Sequence, residues 1–192
     1  MEKLSLAYRM LRKMGLNYSE KEYGQVSFGG VLKAIYYTYR NVFLLTFLMD
    51  SWILSPLEPR KLRPWVLKKL GCHVGKDVFI GDHVRIDGGH AGLIYIDDHA
   101  HITGGCRLLC HQRNLFHYRK GDDAAKLPYK TGKIHIGKGV MIGMESLVMP
   151  GVTIGDGAIV GAFSLVTKDI PAWTIATGRP AKVVKKIPER EN

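Results

Sequence analysis

Residues 136–170, IGKGVMIGMESLVMPGVTIGDGAIVGAFSLVTKDI, place an aliphatic side chain at every sixth position: Ile136, Ile142, Val148, Ile154, Val160 and Val166. The residue after each anchor is mostly small, with Gly137, Gly143, Gly155, Gly161 and Thr167 interrupted by Met149. A second lane lies four residues after each anchor, at Val140, Ser146, Val152, Ala158, Ser164 and Ile170. Self-similarity at a fixed period marks a repeat architecture. Strand side chains alternate between faces, so two inward lanes per six residues describe a short strand and then a tight corner. Corners need residues that tolerate unusual backbone angles. Three strands and three corners close one coil of about eighteen residues, stacked on the next at roughly 4.8 Å. The spacing predicts an all-β repeat, a parallel β-helix.

The register extends upstream and then breaks. Val74, Ile80 and Ile86 make one coil, and Ile96, Ile102 and Leu108 make another. Ten positions separate Ile86 from Ile96, so about four residues bulge out around Gly88, Gly89 and Gly92. From Leu108 to Ile136 the step is 28, which leaves residues 114–133 (NLFHYRKGDDAAKLPYKTGK) as a polar, basic insertion unfit for a buried coil. Long insertions in compact domains tend to carry function, and this one is expected to protrude as a binding loop or lid.

Three segments follow: an N-terminal helical and apolar segment at 1–70, the β-helix with its protruding loop at 71–173, and a short C-terminal tail at 174–192. In the first, Leu4, Leu6, Met10, Leu11 and Met14 recur at helical spacing among Arg9, Arg12 and Lys13. Residues 31–57 are strongly apolar, yet the uncharged run from Asn41 to Met49 is too short for a bilayer span. Residues 1–70 carry 12 Lys and Arg against 5 Asp and Glu. Such a segment suits capping of an open coil end, and its flanking charge also suits peripheral contact with an anionic membrane surface. The N-terminus shows no secretory signal pattern. Cys72, Cys106 and Cys110 lack a disulfide-framework spacing and fit a reducing cytoplasm, at the inner face of the membrane if the N-terminal segment meets lipid. The net charge of +11 raises nucleic acid as a partner. No reader motif or basic strip interleaved with aromatics supports that, and no nucleic acid is expected.

The run from Ile136 to Ile187 resembles the C-terminal half of hexapeptide-repeat acyltransferases, above all in PGVTIGDGAIVGA (150–162), VTKDIP (166–171) and GRPAKVV (178–184). The likeness continues upstream through LIYIDDHAHITGGCRLLCHQ (93–112) and covers about residues 71–187. Among these proteins, the N-terminal residues are similar to members that modify bacterial surface sugars. The resemblance implies a left-handed helix, a homotrimer, and acetyl-CoA as co-substrate with no metal. It further implies O-acetyl transfer to a sugar or sugar-linked intermediate of surface polysaccharide synthesis.

Transfer from a thioester needs a base for the proton of the attacking hydroxyl or amine, and histidine titrates in the right range. His111 stands where the last regular rung meets the loop, the place that the catalytic histidine takes in the resembling family. His117 is the rival inside the loop, and the other six histidines read as corner or face residues. Asp87 ends the rung one coil below His111 and is the leading candidate to hold its second ring nitrogen. Cys110 precedes His111, but neighbours on a strand point to opposite faces, so it is expected to pack inward.

For the coenzyme, the resemblance implies a backbone donor near Gly143–Met144 and a groove past Met141, Gly143, Met144, Gly161, Ala162, Thr167 and Lys168. Arg179 and Lys182 would meet its phosphates. Met141, Met144 and Phe163 depart from the family's usual Trp, Ala or Ser, and Gly. The basic loop offers Arg113, His117 and Arg119 to the acceptor. A xenobiotic or N-acetyltransferase of the same family and a noncatalytic β-helix scaffold are the alternatives. A γ-type carbonic anhydrase would need three histidines converging on zinc, and no later histidine pair at short spacing follows His111.

Overall fold

The computed structural model describes residues 4–15, 20–50 and 58–191, without the side chains of residues 21, 22, 58 and 59. Residues 51–57 of the apolar stretch expected at 31–57 lie outside the described residues. The chain forms two compact units, Met1–Phe43 and Leu44–Asn192.

The first unit holds α1 (Leu6–Lys13), α2 (Glu20–Tyr23) and α3 (Phe28–Phe43). Ser5 caps α1 by accepting from the Tyr8 amide at 3.1 Å, and its hydroxyl donates to the Val26 carbonyl at 2.7 Å. One residue thus satisfies an orphan amide and ties the helix entrance to the start of α3. No helix among the described residues is long and apolar enough to cross a membrane.

In the second unit, α4 (Arg63–Leu70) follows a π-helical turn and ends at Gly71, whose φ of 112° suits only glycine comfortably. Val66, Leu67 and Leu70 of α4 share one core cluster with Leu44, Met49 and the coil interior. The helical segment expected as a single stretch at 1–70 therefore divides, because its part after Leu44 buries its apolar side chains against the first coil. Arg63, only 8% exposed, donates to the carbonyls of Met49 and Ile80 at 3.2 Å each, satisfying backbone groups at the coil end. Asp50 pins the same end by pairing with Arg85 at 2.7 Å and accepting from the His83 amide at 3.1 Å.

The first coil is β1 (His73–Val74), β2 (Phe79–Ile80) and β3 (Arg85–Ile86), and the second is β4 (Ile94–Ile96), β5 (His101–Ile102) and β6 (Arg107–Leu108). A hairpin, β7 (His111–Arg113) and β8 (Tyr129–Thr131), leaves the coil here. The third coil is β9 (Ile134–Ile136), β10 (Met141–Ile142) and β11 (Leu147–Val148). The fourth is β12 (Thr153–Ile154), β13 (Ile159–Val160) and β14 (Leu165–Val166), and β15 (Thr174–Gly178) and β16 (Ala181–Lys186) finish the chain. These strands stack into three mainly parallel sheets, one per face: β1-β4-β9-β12, β2-β5-β10-β13-β15-β16 and β3-β6-β11-β14. Ile136 pairs with Ile154 and Ile142 with Val160, eighteen positions on in each case.

All six C-terminal anchors are at most 1% exposed, and the second lane from Val140 to Ile170 at most 4%. The inward serines are satisfied: the hydroxyls of Ser146 and Ser164 both donate to the Gly161 carbonyl, at 3.1 and 2.7 Å. Residues three places after the anchors turn the corners with positive φ, as at Asp77, His99, His83, Glu145 and Phe163. The stretch expected as a C-terminal tail is instead a hairpin. Thr174 and Ala176 of β15 are buried, and β16 returns antiparallel along the sheet.

Both breaks in register leave from the same edge of the prism. The bulge after β3 and the hairpin after β6 each follow an anchor of the third sheet, and β3 and β6 are hydrogen-bonded neighbours. The two interruptions are thus stacked one above the other, and this positions the site.

Candidate active site

At that edge, Asp87 is the residue after β3 and its amide donates to the Leu108 carbonyl at 3.0 Å. His111 opens β7 one coil above. Its Nδ1 contacts Asp87 Oδ2 directly, so the two residues singled out from the sequence are brought together. The carboxylate is buried, with 6% of its side chain exposed, whereas the imidazole is 37% exposed. With Nδ1 engaged by a carboxylate, the ring's proton belongs there and Nε2 carries the lone pair.

Burial pushes the Asp87 carboxyl upward, but its hydrogen bonds to His111 and His90 outweigh this and hold it below the usual carboxylate range. An aspartate held lower in the folded chain contributes stability that is complete above its unfolded value, about 3.9. That contribution is lost as pH falls through the lower folded value. Wild-type protein should therefore keep its melting-temperature advantage over Asp87→Asn down to pH about 4 and lose it below. Closure of the gap already at pH 5 would show that the contact is not made by an ionised carboxylate.

Two neighbours escaped the sequence reading. His90, expected as an ordinary corner residue, sits in the bulge with Nδ1 3.2 Å from Asp87 Oδ2 and its ring 5.1 Å from that of His111. Tyr129 stands edge-on to His111 at 5.3 Å, and Arg113, two residues beyond His111 on β7 and paired with Tyr129, lies 4.0 Å from the Tyr129 ring. The signal that could have found His90 was the shared edge of the two register breaks. Tyr129 had none, because its pairing with Arg113 depends on the hairpin register. Asp87, His90 and His111 each offer one ligand atom, all within 4.8 Å of one another, and form a group that could hold a metal.

Cys110 points inward and is fully buried, its thiol pushed up to about 11 by burial and by the nearby Asp87 charge. A thiol so held is a poor nucleophile. Native protein at neutral pH should leave Cys110 unalkylated by iodoacetamide over an hour, as read by intact mass. Rapid modification would show that the first turn of the hairpin opens.

The expected acceptor residues separate. Arg113 donates to the Leu127 carbonyl at 2.5 Å and helps frame an open cleft of about 300 Å³ with Gln112, Leu115, Phe116 and Lys130. His117 packs edge-on against Phe116 at 4.8 Å, and Arg119 donates to the Tyr118 carbonyl at 2.9 Å, so both serve the hairpin's own tip. The expected coenzyme residues fall at two corners flanking the third sheet. Met141, Gly143, Met144, Gly161 and Ala162 lie at or before one corner, where Gly143 donates to Val160, Gly161 to Ala176, and Phe163 to Met144, each at 2.8 Å. Arg179 joins them through Nε to the Phe163 carbonyl at 2.6 Å. Thr167 and Lys168 follow β14 at the other corner, and Lys182 lies on β16 opposite Thr177. Met141, Met144 and Phe163 are 42, 52 and 55% exposed, an apolar strip along the coil surface.

The bacterial transferase hexapeptide family, six repeats, matches residues 133–168. Protein CapG of Staphylococcus aureus is 38% identical over 134 residues, covering 68% of this chain and 75% of that protein. A Staphylococcus aureus (strain Mu50) protein provisionally named an acetyltransferase is 40% identical over 114 residues, 59% of this chain and 54% of that one. The chain spans about half the length of that relative. Among solved structures, a maltose O-acetyltransferase from Clostridium difficile 630 superposes with a TM-score of 0.61 at 25% identity, covering 83% of this chain and 88% of that one. The stacked hexad coils and these likenesses define a hexapeptide-repeat protein. The chain belongs to the bacterial transferase hexapeptide family.

Proposed function

We propose that the protein transfers an acetyl group from acetyl-CoA to a hydroxyl of a sugar or sugar-linked intermediate of surface polysaccharide synthesis, with His111 as the general base. The observation that carries this reading is the His111 imidazole, held at Nδ1 by a buried carboxylate and open to solvent beside the hairpin cleft. The similarity to a maltose O-acetyltransferase favours a sugar hydroxyl over a xenobiotic or an amine.

In this mechanism, Nε2 accepts the acceptor's hydroxyl proton as its oxygen attacks the thioester carbonyl. Asp87 stabilises the imidazolium that forms. The tetrahedral oxyanion needs a fixed donor, and a backbone N–H near Gly143–Met144 of a neighbouring copy would supply it. Collapse breaks the carbon–sulfur bond, and the imidazolium returns its proton to the departing thiolate. The coil is taken as left-handed and the assembly as a trimer. The pantetheine arm would run along the strip of Met141, Gly143, Met144, Gly161 and Ala162, with Thr167 and Lys168 farther along the groove. Arg179 and Lys182 would meet phosphate, and Arg113 the acceptor in the hairpin cleft.

The test is release of free thiol from acetyl-CoA across a panel of sugars, nucleotide sugars and lipid-linked sugars, with product mass as the second readout. An acetylated sugar is expected. Failure with every glycan, together with turnover of an amine drug, would replace this reading with the xenobiotic one.

A further inference from the structure

We propose that Asp87, His90 and His111 form an inhibitory site for a divalent transition-metal ion of the zinc type. The three side chains come from two successive interruptions of the coil at one edge. Asp87 begins the bulge, His90 ends its tight turn by donating its amide to the Asp87 carbonyl at 2.9 Å, and His111 begins the hairpin above. Both histidines direct Nδ1 at the same carboxylate oxygen. With metal–ligand bonds of about 2.0–2.1 Å, two ligands of a tetrahedral zinc stand roughly 3.3 Å apart. His90 Nδ1 and Asp87 Oδ2, 3.2 Å apart, already stand at that spacing, whereas His111 Nδ1, in direct contact with the same oxygen, has to draw back along the hairpin to admit an ion.

Two imidazoles and one carboxylate suit zinc and its first-row neighbours, whereas magnesium and calcium prefer all-oxygen shells. The carboxylate is buried and each imidazole 37% exposed, so an ion has one open side, where water would complete its shell. The transfer chemistry calls for one imidazole on Asp87, and His90 is the addition that turns a dyad into a three-ligand cluster.

The inhibitory half of the proposal rests on His111 acting as the base. A neutral imidazole has one ring proton and one lone pair. An ion on Nδ1 takes the lone pair, keeps the proton on Nε2, and leaves nothing to accept the acceptor's proton. Zinc would therefore silence the base without displacing it, and a chelator would restore it.

The experiment titrates Zn²⁺ into metal-free protein by calorimetry, and Co²⁺ by visible absorption, for wild type, His90→Ala, His90→Gln and Asp87→Asn, each checked by its melting curve. One ion per chain is expected, with nitrogen and oxygen ligation in the Co²⁺ spectrum and affinity reduced at least about tenfold in the variants. Thiol release should stop at one equivalent of Zn²⁺ in wild type and resist it in His90→Ala, each protein compared with its own metal-free rate. Absence of binding, binding indifferent to both His90 variants, or a thiolate spectrum from the cysteines would overturn the site and leave the base reading untouched. Binding at the three residues with transfer undiminished would instead overturn both the inhibition and the role of His111.

Discussion

His111→Ala should lower the rate of acetyl transfer by about a hundred- to ten-thousand-fold, the range a positioned general base contributes. That loss corresponds to roughly 3–5 kcal/mol of transition-state stabilisation. The melting temperature and the affinity for coenzyme A should stay near wild type. The physical reason is location: His111 is 37% exposed on an outgoing strand, while Leu108 and Cys110 beside it carry the packing and are fully buried. Asp87→Asn should give a smaller loss, because the amide can still hold the ring but no longer stabilises an imidazolium. The two variants should not be additive, since each removes part of one unit. Single-turnover thiol release with saturating acetyl-CoA separates chemistry from binding. A His111→Ala protein that turns over at the parental rate would remove the base assignment and with it the motive for Asp87.

How far the sequence carried this picture depended on whether a residue's place was set by period or by contact. The anchors from Ile136 to Val166 were legible because a fixed period leaves each of them one face to occupy, and all six are buried. Cys110 was legible by the same alternation. The pairing of Asp87 with His111 could be read because both sit at ends of rungs one coil apart. His90 left a weaker signal, the edge its bulge shares with the hairpin, since a bulge obeys no period and its direction is set by the turn from Asp87 to His90. The N-terminal stretch was misdivided at 70 because helical spacing shows that a face is apolar without showing what covers it. Only the burial of Leu44, Met49 and Leu67 in the coil core assigns that part to the β-helix. The basic composition of 114–133 argued against a buried coil, yet it could not reveal that Arg119 spends its guanidinium on the hairpin's own carbonyls.

Gly143→Val should lower the melting temperature by roughly 6–12 °C, the equivalent of about 3 kcal/mol in a chain of this size. The small residue after each anchor sets this cost. A Cβ built on Gly143 would lie 2.4 Å from the Ala162 amide nitrogen and 2.8 Å from its Cα, in the next coil. The same contact recurs at Gly81 against Gly104 and at Gly155 against Ala172, each at 2.4 Å, whereas the second coil departs from the pattern with Asp97 and Thr103. None of these three glycines has a positive φ, so glycine is required there by the approach of the next backbone and not by its own torsions. Because the obstructing atoms are backbone held in a hydrogen-bonded ladder, no side-chain rotamer can relieve the clash, and the coils must separate. Even Gly143→Ala should therefore destabilise. At Gly88, where a Cβ meets nothing within 4 Å, alanine should instead be neutral or stabilising by about 0.4–1 kcal/mol through the unfolded chain. Thermal melts of the three variants decide it: a Gly143→Ala protein as stable as Gly88→Ala would mean that the corners tolerate a side chain, and that the six-residue period is set by the inward lanes alone. Because Gly143 also lies in the strip proposed for the pantetheine arm, a coil forced open there should raise the KM for acetyl-CoA before it changes the pH profile of His111.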